Sequence, residues 1–135
     1  MKKVTGIGGI FFKCKNPEEM RNWYGEKLGL PVNEYGAMFE SRNAQNPEQK
    51  NYLQWSTFKE DTTYMEPSKA SFMINYRVEN LEALAKELAA NGVTICDEIA
   101  TYDYGKFLHI LDPEGNKIEL WEPIDQPFDG EETAS

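Results

Sequence analysis

Two residues with acid–base chemistry flank a short turn near the end of the chain. The turn, residues 112–116 (Asp-Pro-Glu-Gly-Asn), separates segments 107–111 and 117–121, and a symmetric hairpin register places His109 opposite Glu119. A carboxylate raises the pKa of a neighbouring histidine and burial raises that of a carboxyl group, so the pair could transfer protons. The alternative is a cross-strand hydrogen bond that only satisfies two buried polar groups. His109 and Glu119 are therefore candidate catalytic residues, with both interpretations open.

Alternation along these two predicted strands separates an apolar face from a face suited to binding. The apolar face, which would pack under a helix, carries Leu108, Ile110, Ile118 and Leu120. The opposite face carries Phe107 and Trp121 beside the acid–base pair, and the same alternation brings Tyr52 and Gln54 from an earlier strand. Because aromatic rings stack on ligands, we expect the ligand-binding residues to be Phe107, Trp121, Gln54 and Tyr52. Ordinary core packing is the alternative for these rings.

The first half of the chain reads as a strand, a helix and further strands. A strand over residues 7–13 precedes Asn16 and Pro17, a capping residue and a first-turn proline, so a helix is predicted from there to Gly29. Helical spacing of apolar residues predicts a core-facing stripe of Met20, Trp23, Tyr24 and Leu28. Strands are expected over residues 38–41 and 52–58.

The second half repeats this plan. A strand over residues 72–78 precedes Asn80, 64 positions after Asn16, and a helix with Leu81, Leu84 and Leu88 on one face ends near Asn91 and Gly92. Strands follow over residues 105–111 and 117–122. The expected fold is α+β, a single domain of two tandem β-α-β-β-β modules (about 5–62 and 70–123, with a tail over 124–135) that form a curved mixed sheet around a cavity.

Charge and composition exclude several classes of partner. Fourteen basic against 23 acidic residues give a net charge of −9, which repels nucleic acid and anionic membrane surfaces. No run approaches the roughly 18 apolar residues of a membrane span, and no signal-peptide pattern is present, so we expect a cytoplasmic protein. Cys14 and Cys96 lie in no metal-binding or disulfide spacing and are expected to be small apolar residues of the interior.

With the paired modules, the run Asp112-Pro113-Glu114-Gly115-Asn116-Lys117-Ile118-Glu119-Leu120 resembles the vicinal oxygen chelate superfamily, which groups glyoxalases, bleomycin-resistance proteins and extradiol dioxygenases. Ile10-Phe11-Phe12, Trp23-Tyr24 and Leu28-Gly29-Leu30 resemble that family's opening strand and helix. The resemblance covers about residues 5–123. It implies the fold, whereas the family supports many chemistries on one scaffold.

The resemblance also implies where a metal would lie. Metal-dependent members place ligands, usually His or Glu, near the start of each half's first strand and in its last strand, which here gives about Gly9, Met73, Gln54 and Glu119. Only Glu119 is of the expected type. Since a zinc site needs about three protein ligands and magnesium requires anionic oxygens, we expect no metal and no cofactor. A site of His109, Glu119 and Gln54 is the alternative.

Three functions follow as hypotheses. The first is a metal-free protein that binds or sequesters a small aromatic or cationic compound, as the resemblance to bleomycin-resistance proteins implies. The second is a lyase or isomerase of the glyoxalase type, using a divalent metal or the His109–Glu119 pair. The third is an interaction domain that uses its cavity for sensing or scaffolding. The expected partners are a small-molecule ligand and, as the resemblance implies, a second copy of the chain in a homodimer.

Overall fold

The structure, a computed structural model, describes residues 3–124, so the tail predicted over 124–135 lies almost wholly outside the described residues. Seven strands and two helices form within this range. They are β1 (Val4–Cys14), α1 (Pro17–Leu28), β2 (Ala37–Arg42), β3 (Lys50–Lys59), β4 (Phe72–Val78), α2 (Leu81–Ala90), β5 (Ala100–Tyr102), β6 (Gly105–Leu111) and β7 (Lys117–Pro123).

All seven strands belong to one open mixed sheet in the order β2-β3-β1-β4-β7-β6-β5. The first strands of the two modules, β1 and β4, pair antiparallel at its centre. Each is flanked by the last strand of its own module in a parallel pairing, β1 with β3 and β4 with β7. The α+β prediction is confirmed. The sequence pattern missed β5, and in the first module an isolated bridge between Asn33 and Gly36 stands in place of a corresponding strand.

Both predicted helix starts are confirmed by their caps. The Asn16 side chain accepts a hydrogen bond from the Glu19 amide at 3.0 Å, and the Asn80 side chain accepts one from Ala83 at 3.1 Å. Such caps satisfy amides that have no partner inside the helix. At the end of α1, Gly29 takes the left-handed conformation, with φ of 72°, that a glycine adopts without strain.

Each helix covers the strands of its own module, but α2 packs more tightly against the sheet than α1 does. Leu81 and Leu84 of α2 are buried in a core with Leu108, Ile110 and Leu120. Helix α1 rests on the sheet mainly through Tyr24, whose ring lies 4.8 Å from that of Trp55. The predicted core stripe of α1 is wrong for Trp23 and Leu28, which are 50% and 60% exposed, because α1 lies loosely on the sheet with no residue fully buried. Neither helix within residues 3–124 is long and apolar enough to span a membrane.

The segment that joins the modules, residues 60–71, crosses the sheet face opposite the helices; we call it the inter-module strap. Its Met65 is fully buried against Phe11 of β1 and Met73 of β4, with Phe58 packed alongside. Phe11 and Met73 are themselves register partners in the central strand pair. The strap therefore fills one half of this face and leaves the other half open.

Candidate functional site

The hairpin register that the sequence predicts is present. Residue His109 pairs with Glu119, and Phe107 with Trp121, across β6 and β7. The alternate residues face α2 and form its core, as predicted. This register places the acid–base candidates and the two aromatic candidates on the open face.

A row of register partners crosses the centre of that face. Gln54 of β3 pairs with Gly9 of β1, Gly9 with Asn75 of β4, and Asn75 with Glu119 of β7. Met73, the residue 64 positions after Gly9 that the family resemblance implies as a ligand position, pairs instead with Phe11 and is buried against the strap. In an antiparallel strand pair, residues at a constant offset are not in general register partners, and here the residues 64 positions apart that pair are Ile10 and Ile74. Asn75 is therefore the β4 residue of the row.

A cavity of about 650 Å³ opens above this row, between the two modules. The four predicted ligand-binding residues all line it, as does Glu119, whereas His109 lies behind Glu119 and does not reach it. The lining residues are Gly8, Phe11, Asn33, Tyr35, Met38, Tyr52, Gln54, Asn75, Tyr104, Phe107, Glu119 and Trp121.

The Glu119 carboxylate, only 3% exposed, is held by three side chains. Its Oε1 accepts a hydrogen bond from Asn75 Nδ2 at 2.7 Å, and its Oε2 contacts the Tyr64 hydroxyl at 2.5 Å and His109 Nε2 at 2.8 Å. Burial acts to raise the pKa of Glu119, but the hydrogen bonds from His109, Tyr64 and Asn75 outweigh it and lower the pKa. Because Oε1 has one such partner and a carboxylate oxygen can accept two hydrogen bonds, one acceptor position remains.

The imidazole of His109, in a residue 6% exposed, lies between two carboxylates. Its Nδ1 is 2.6 Å from Asp97 Oδ2, and its backbone amide donates to Asp97 Oδ1 at 2.8 Å. Burial acts to lower the pKa of His109, but the hydrogen bonds with Glu119 and Asp97 outweigh it and raise the pKa. Protonated His109 then donates to both acids, and neither ring nitrogen is left for a ligand.

Sequence reasoning missed three members of this cluster. Asn75 shares its face of β4 with Met73, and this alternation was the available signal for it. Tyr64 comes from the strap and Asp97 from the segment after α2, neither of which has a periodic pattern. The hydrogen bonds of these three side chains make Glu119 and His109 part of a connected polar network.

The aromatic side chains divide into structural rings and rings open to the cavity. The indole of Trp121 has Phe107 stacked on it at 5.8 Å and 7° and the Arg77 guanidinium 5.0 Å from its centre, while its N–H donates to the Tyr104 carbonyl. Trp121, which is 6% exposed, therefore offers little of its ring to a ligand. Tyr35, 73% exposed, and Tyr104 are the more accessible rings at the rim.

The residues of the row do not fit a divalent metal ion. They offer one anionic group, Glu119, beside the neutral amides of Gln54 and Asn75 and the glycine at position 9. The space that a side chain would need at Gly9 is occupied by the Phe11 ring, and at Gly8 by Asn75 Oδ1 and Trp121. Within residues 3–124, no group of three or more His, Cys, Asp or Glu side chains is arranged to hold a metal. Zinc or magnesium would lack the ligands it requires.

Several solved structures have the same fold. Methylmalonyl-CoA epimerase from Mycobacterium tuberculosis is 19% identical, with 96% of this chain and 95% of that chain covered and a TM-score of 0.61. A Streptomyces coelicolor methylmalonyl-CoA epimerase variant in complex with 2-nitronate-propionyl-CoA is 18% identical, covering 89% and 98%, with a TM-score of 0.63. The Mn(II)-bound glyoxalase from Novosphingobium aromaticivorans is 16% identical, covering 90% of this chain and 40% of that chain, with a TM-score of 0.61.

A comparison with functionally curated protein sequences finds no match. The sequence profile of one family matches residues 6–120, a range that runs from β1 into β7 and includes both modules and the whole row of register partners. The chain belongs to the Glyoxalase/Bleomycin resistance protein/Dioxygenase superfamily.

Proposed function

We propose that this protein binds a small molecule that carries an aromatic ring and a cationic or hydrogen-bond-donating group, and that it does so without a metal. The observation that carries this proposal is the anionic Glu119 at the wall of an aromatic-lined cavity of about 650 Å³. Cavities of this size, mainly apolar with a few fixed polar groups, are typical of small-molecule sites.

The polar groups of the cavity favour a ligand that donates hydrogen bonds. Glu119 Oε1 keeps one acceptor position, and the amide nitrogen of Gln54 is used within the protein, donating to Ser56 Oγ at 3.0 Å. Gln54 therefore has its oxygen to offer. A net charge of −9 adds a field that attracts cations and repels anions. An ammonium or amidinium group satisfies these acceptors, and a ring next to it can lie against Tyr35 or Tyr104.

The state of the acid–base candidates favours binding over proton transfer. A general base works best with a pKa near the operating pH, but the hydrogen bonds to Glu119 lower its pKa. His109 lies behind the cavity wall with both nitrogens against carboxylates, so it contacts no ligand in the cavity. Both features support a recognition site for a positive charge.

We also propose that two copies of the chain associate. On the helix side of the central strand pair, between α1 and α2, four apolar side chains stay exposed: Val4, Ile7, Ile10 and Phe72. Contiguous exposed apolar surface is typical of protein interfaces. Because β1 and β4 are equivalent strands in antiparallel pairing, this apolar stripe of four residues can meet its own copy in a two-fold arrangement.

The two free cysteines, Cys14 and Cys96, agree with a reducing cytoplasmic location.

The binding proposal is tested with a thermal-shift screen that pairs aromatic amines with neutral analogues of the same shape, for example benzylamine with benzyl alcohol, each with and without a chelator. A ligand at about 100 times its Kd adds about 2.7 kcal/mol of stability, which such a screen detects. We expect cationic members to raise the melting temperature more than neutral ones, equally with chelator.

Hits are then titrated calorimetrically into Glu119→Gln and into Glu114→Gln, a matched loss of charge in the exposed turn. We expect Glu119→Gln to weaken binding by about 1–3 kcal/mol and Glu114→Gln to leave it unchanged. Equal binding of neutral and cationic analogues would refute the charge preference, and a chelator effect would refute metal independence.

A further inference from the structure

Keeping the buried carboxylate of Glu119 ionised requires compensation for its lost hydration. Taking an isolated carboxylate out of water is highly unfavourable, so a buried acid that stays ionised is normally paired with a cation or bound to a metal. Hydrogen bonds from neutral Tyr64 and Asn75 help, but they bring no net charge. The positive charge must therefore come from another group near Glu119.

The side chains around the cluster leave one group in position to supply it. Lys117 turns away, with its Nζ on the Tyr64 carbonyl at 2.7 Å and 5.4 Å from that ring's centre. Arg77 lies against Trp121, with its Nη1 on the Tyr52 carbonyl at 2.8 Å. Among residues 3–124, the side chain that forms an ion pair with Glu119 is His109, whose Nε2 lies 2.8 Å from Glu119 Oε2.

The other face of the imidazole ties this pair to the surface. Asp97 is exposed, and its carboxylate forms hydrogen bonds with both the ring Nδ1 and the backbone amide of His109, which fixes the ring in one orientation. Further titratable groups near the cluster are Tyr64, on the Glu119 side, and Cys96, next to Asp97 in the chain. Neither carries charge at neutral pH, since burial raises the pKa of both.

We infer that the His109 imidazolium is the resident cation of this site: bound to Asp97, it supplies the counter-charge that keeps Glu119 ionised at the wall of the cavity. His109 and Asp97 are positioning residues in this scheme, because they act on a ligand only through Glu119. Asp97, the His109 imidazolium and Glu119 together carry one net negative charge. Glu119 is the member of the three that lines the cavity.

His109 is the single histidine of the chain, so nitrogen-15 NMR of untagged protein reports on this one ring. We expect both ring nitrogens to carry protons at pH 7, with a titration midpoint above that of a free histidine. Asp97→Asn keeps the shape but removes one carboxylate, so the midpoint should shift downward. Glu98→Gln, which removes the adjacent exposed charge, should leave the midpoint in place. Because no ligand is used, the result does not depend on which molecule the cavity takes.

A ring with one bare nitrogen at pH 7 in the native protein would overturn the inference, as would a midpoint that Asp97→Asn leaves unmoved. A second arm adds one equivalent of zinc. An imidazolium already bound to two carboxylates should show no zinc-dependent change in its nitrogen shifts, whereas a shift at either nitrogen would identify His109 as a metal ligand and refute its role as the cation.

Discussion

At the scale of single residues, the polar cluster behind the cavity has a defined dependence on pH. The folded-state pKa of His109 is raised above its ordinary 6.5, so its stabilising contribution is fully present below about 6.5 and is lost as the pH rises through the folded value. The pKa of Glu119 is lowered from 4.5, so its contribution is present above 4.5 and is lost as the pH falls through the folded value. The cluster therefore stabilises the fold most between these two limits.

Replacing His109 with Gln tests the upper limit. The variant loses the ionic contribution, so the free energy of unfolding should differ most from native protein near about pH 6 and progressively less towards about pH 9. Urea unfolding at a series of pH values measures this difference. A difference that is constant across the range would mean that His109 does not become charged on folding and contributes only by packing.

The donor chemistry of the row gives a prediction about metals. Protein treated with a strong chelator should keep its melting temperature, and added zinc or nickel should not raise it, because Gly9 and Asn75 leave Glu119 as the one anionic donor. Differential scanning calorimetry before and after treatment measures this. A fall of several degrees that zinc or nickel restores would contradict it.

The site could be predicted from the sequence where local rules fix geometry. His109, Glu119, Phe107 and Trp121 share a hairpin whose turn sets the register, so their common face follows from counting. Contacts across the sheet follow no such rule. The strand register pairs Gly9 with Asn75, which a constant offset between the modules does not reveal, and Tyr64 reaches Glu119 across 55 positions from an irregular segment.

At the scale of elements, the clearest signals were the ends of helices and the turn of the hairpin. Asn16 and Asn80 cap their helices through hydrogen bonds to residues three positions away, so both caps can be recognised from the sequence alone. Strand β5 has three residues and is defined only by its pairing with β6, so it is too short for a periodic pattern to predict it. The strap is likewise defined by what it covers, through Met65 and Tyr64, and not by its own secondary structure.

The turn between β6 and β7 gives a stability prediction at this scale. Gly115 has φ of 83°, and no atom lies within 4 Å of where a side chain would begin. Gly115→Val should therefore destabilise through backbone strain alone, by about 1–2 kcal/mol. Urea unfolding measures the loss, with Glu114→Val as control, since Glu114 is exposed and has an ordinary φ. Equal stability of the two variants would show that the turn rearranges easily and does not fix the His109–Glu119 register.

At the scale of the whole molecule, the stripe along β1 and β4 predicts the oligomeric state. We expect native protein to form a dimer at micromolar concentration and Ile10→Glu to be monomeric, because a charge in the middle of an apolar contact is unfavourable. Thr101→Glu, on exposed β5 at the sheet edge, is the control and should remain dimeric. Light scattering coupled to size exclusion distinguishes the species. A monomeric native protein would remove the stripe as an interface.

The same sheet order governs the order in which the chain can fold. Each parallel pairing, β1 with β3 and β4 with β7, joins residues about 45 positions apart, so a long loop must close before either pairing stabilises the chain, and such topologies fold slowly compared with helical proteins. During synthesis the first module can complete its own pairing, but β4 emerges only afterwards. Until then the nascent chain holds Gln54 and the glycines of β1 without a carboxylate beside them, and the cavity is completed when β4 and β7 join the sheet.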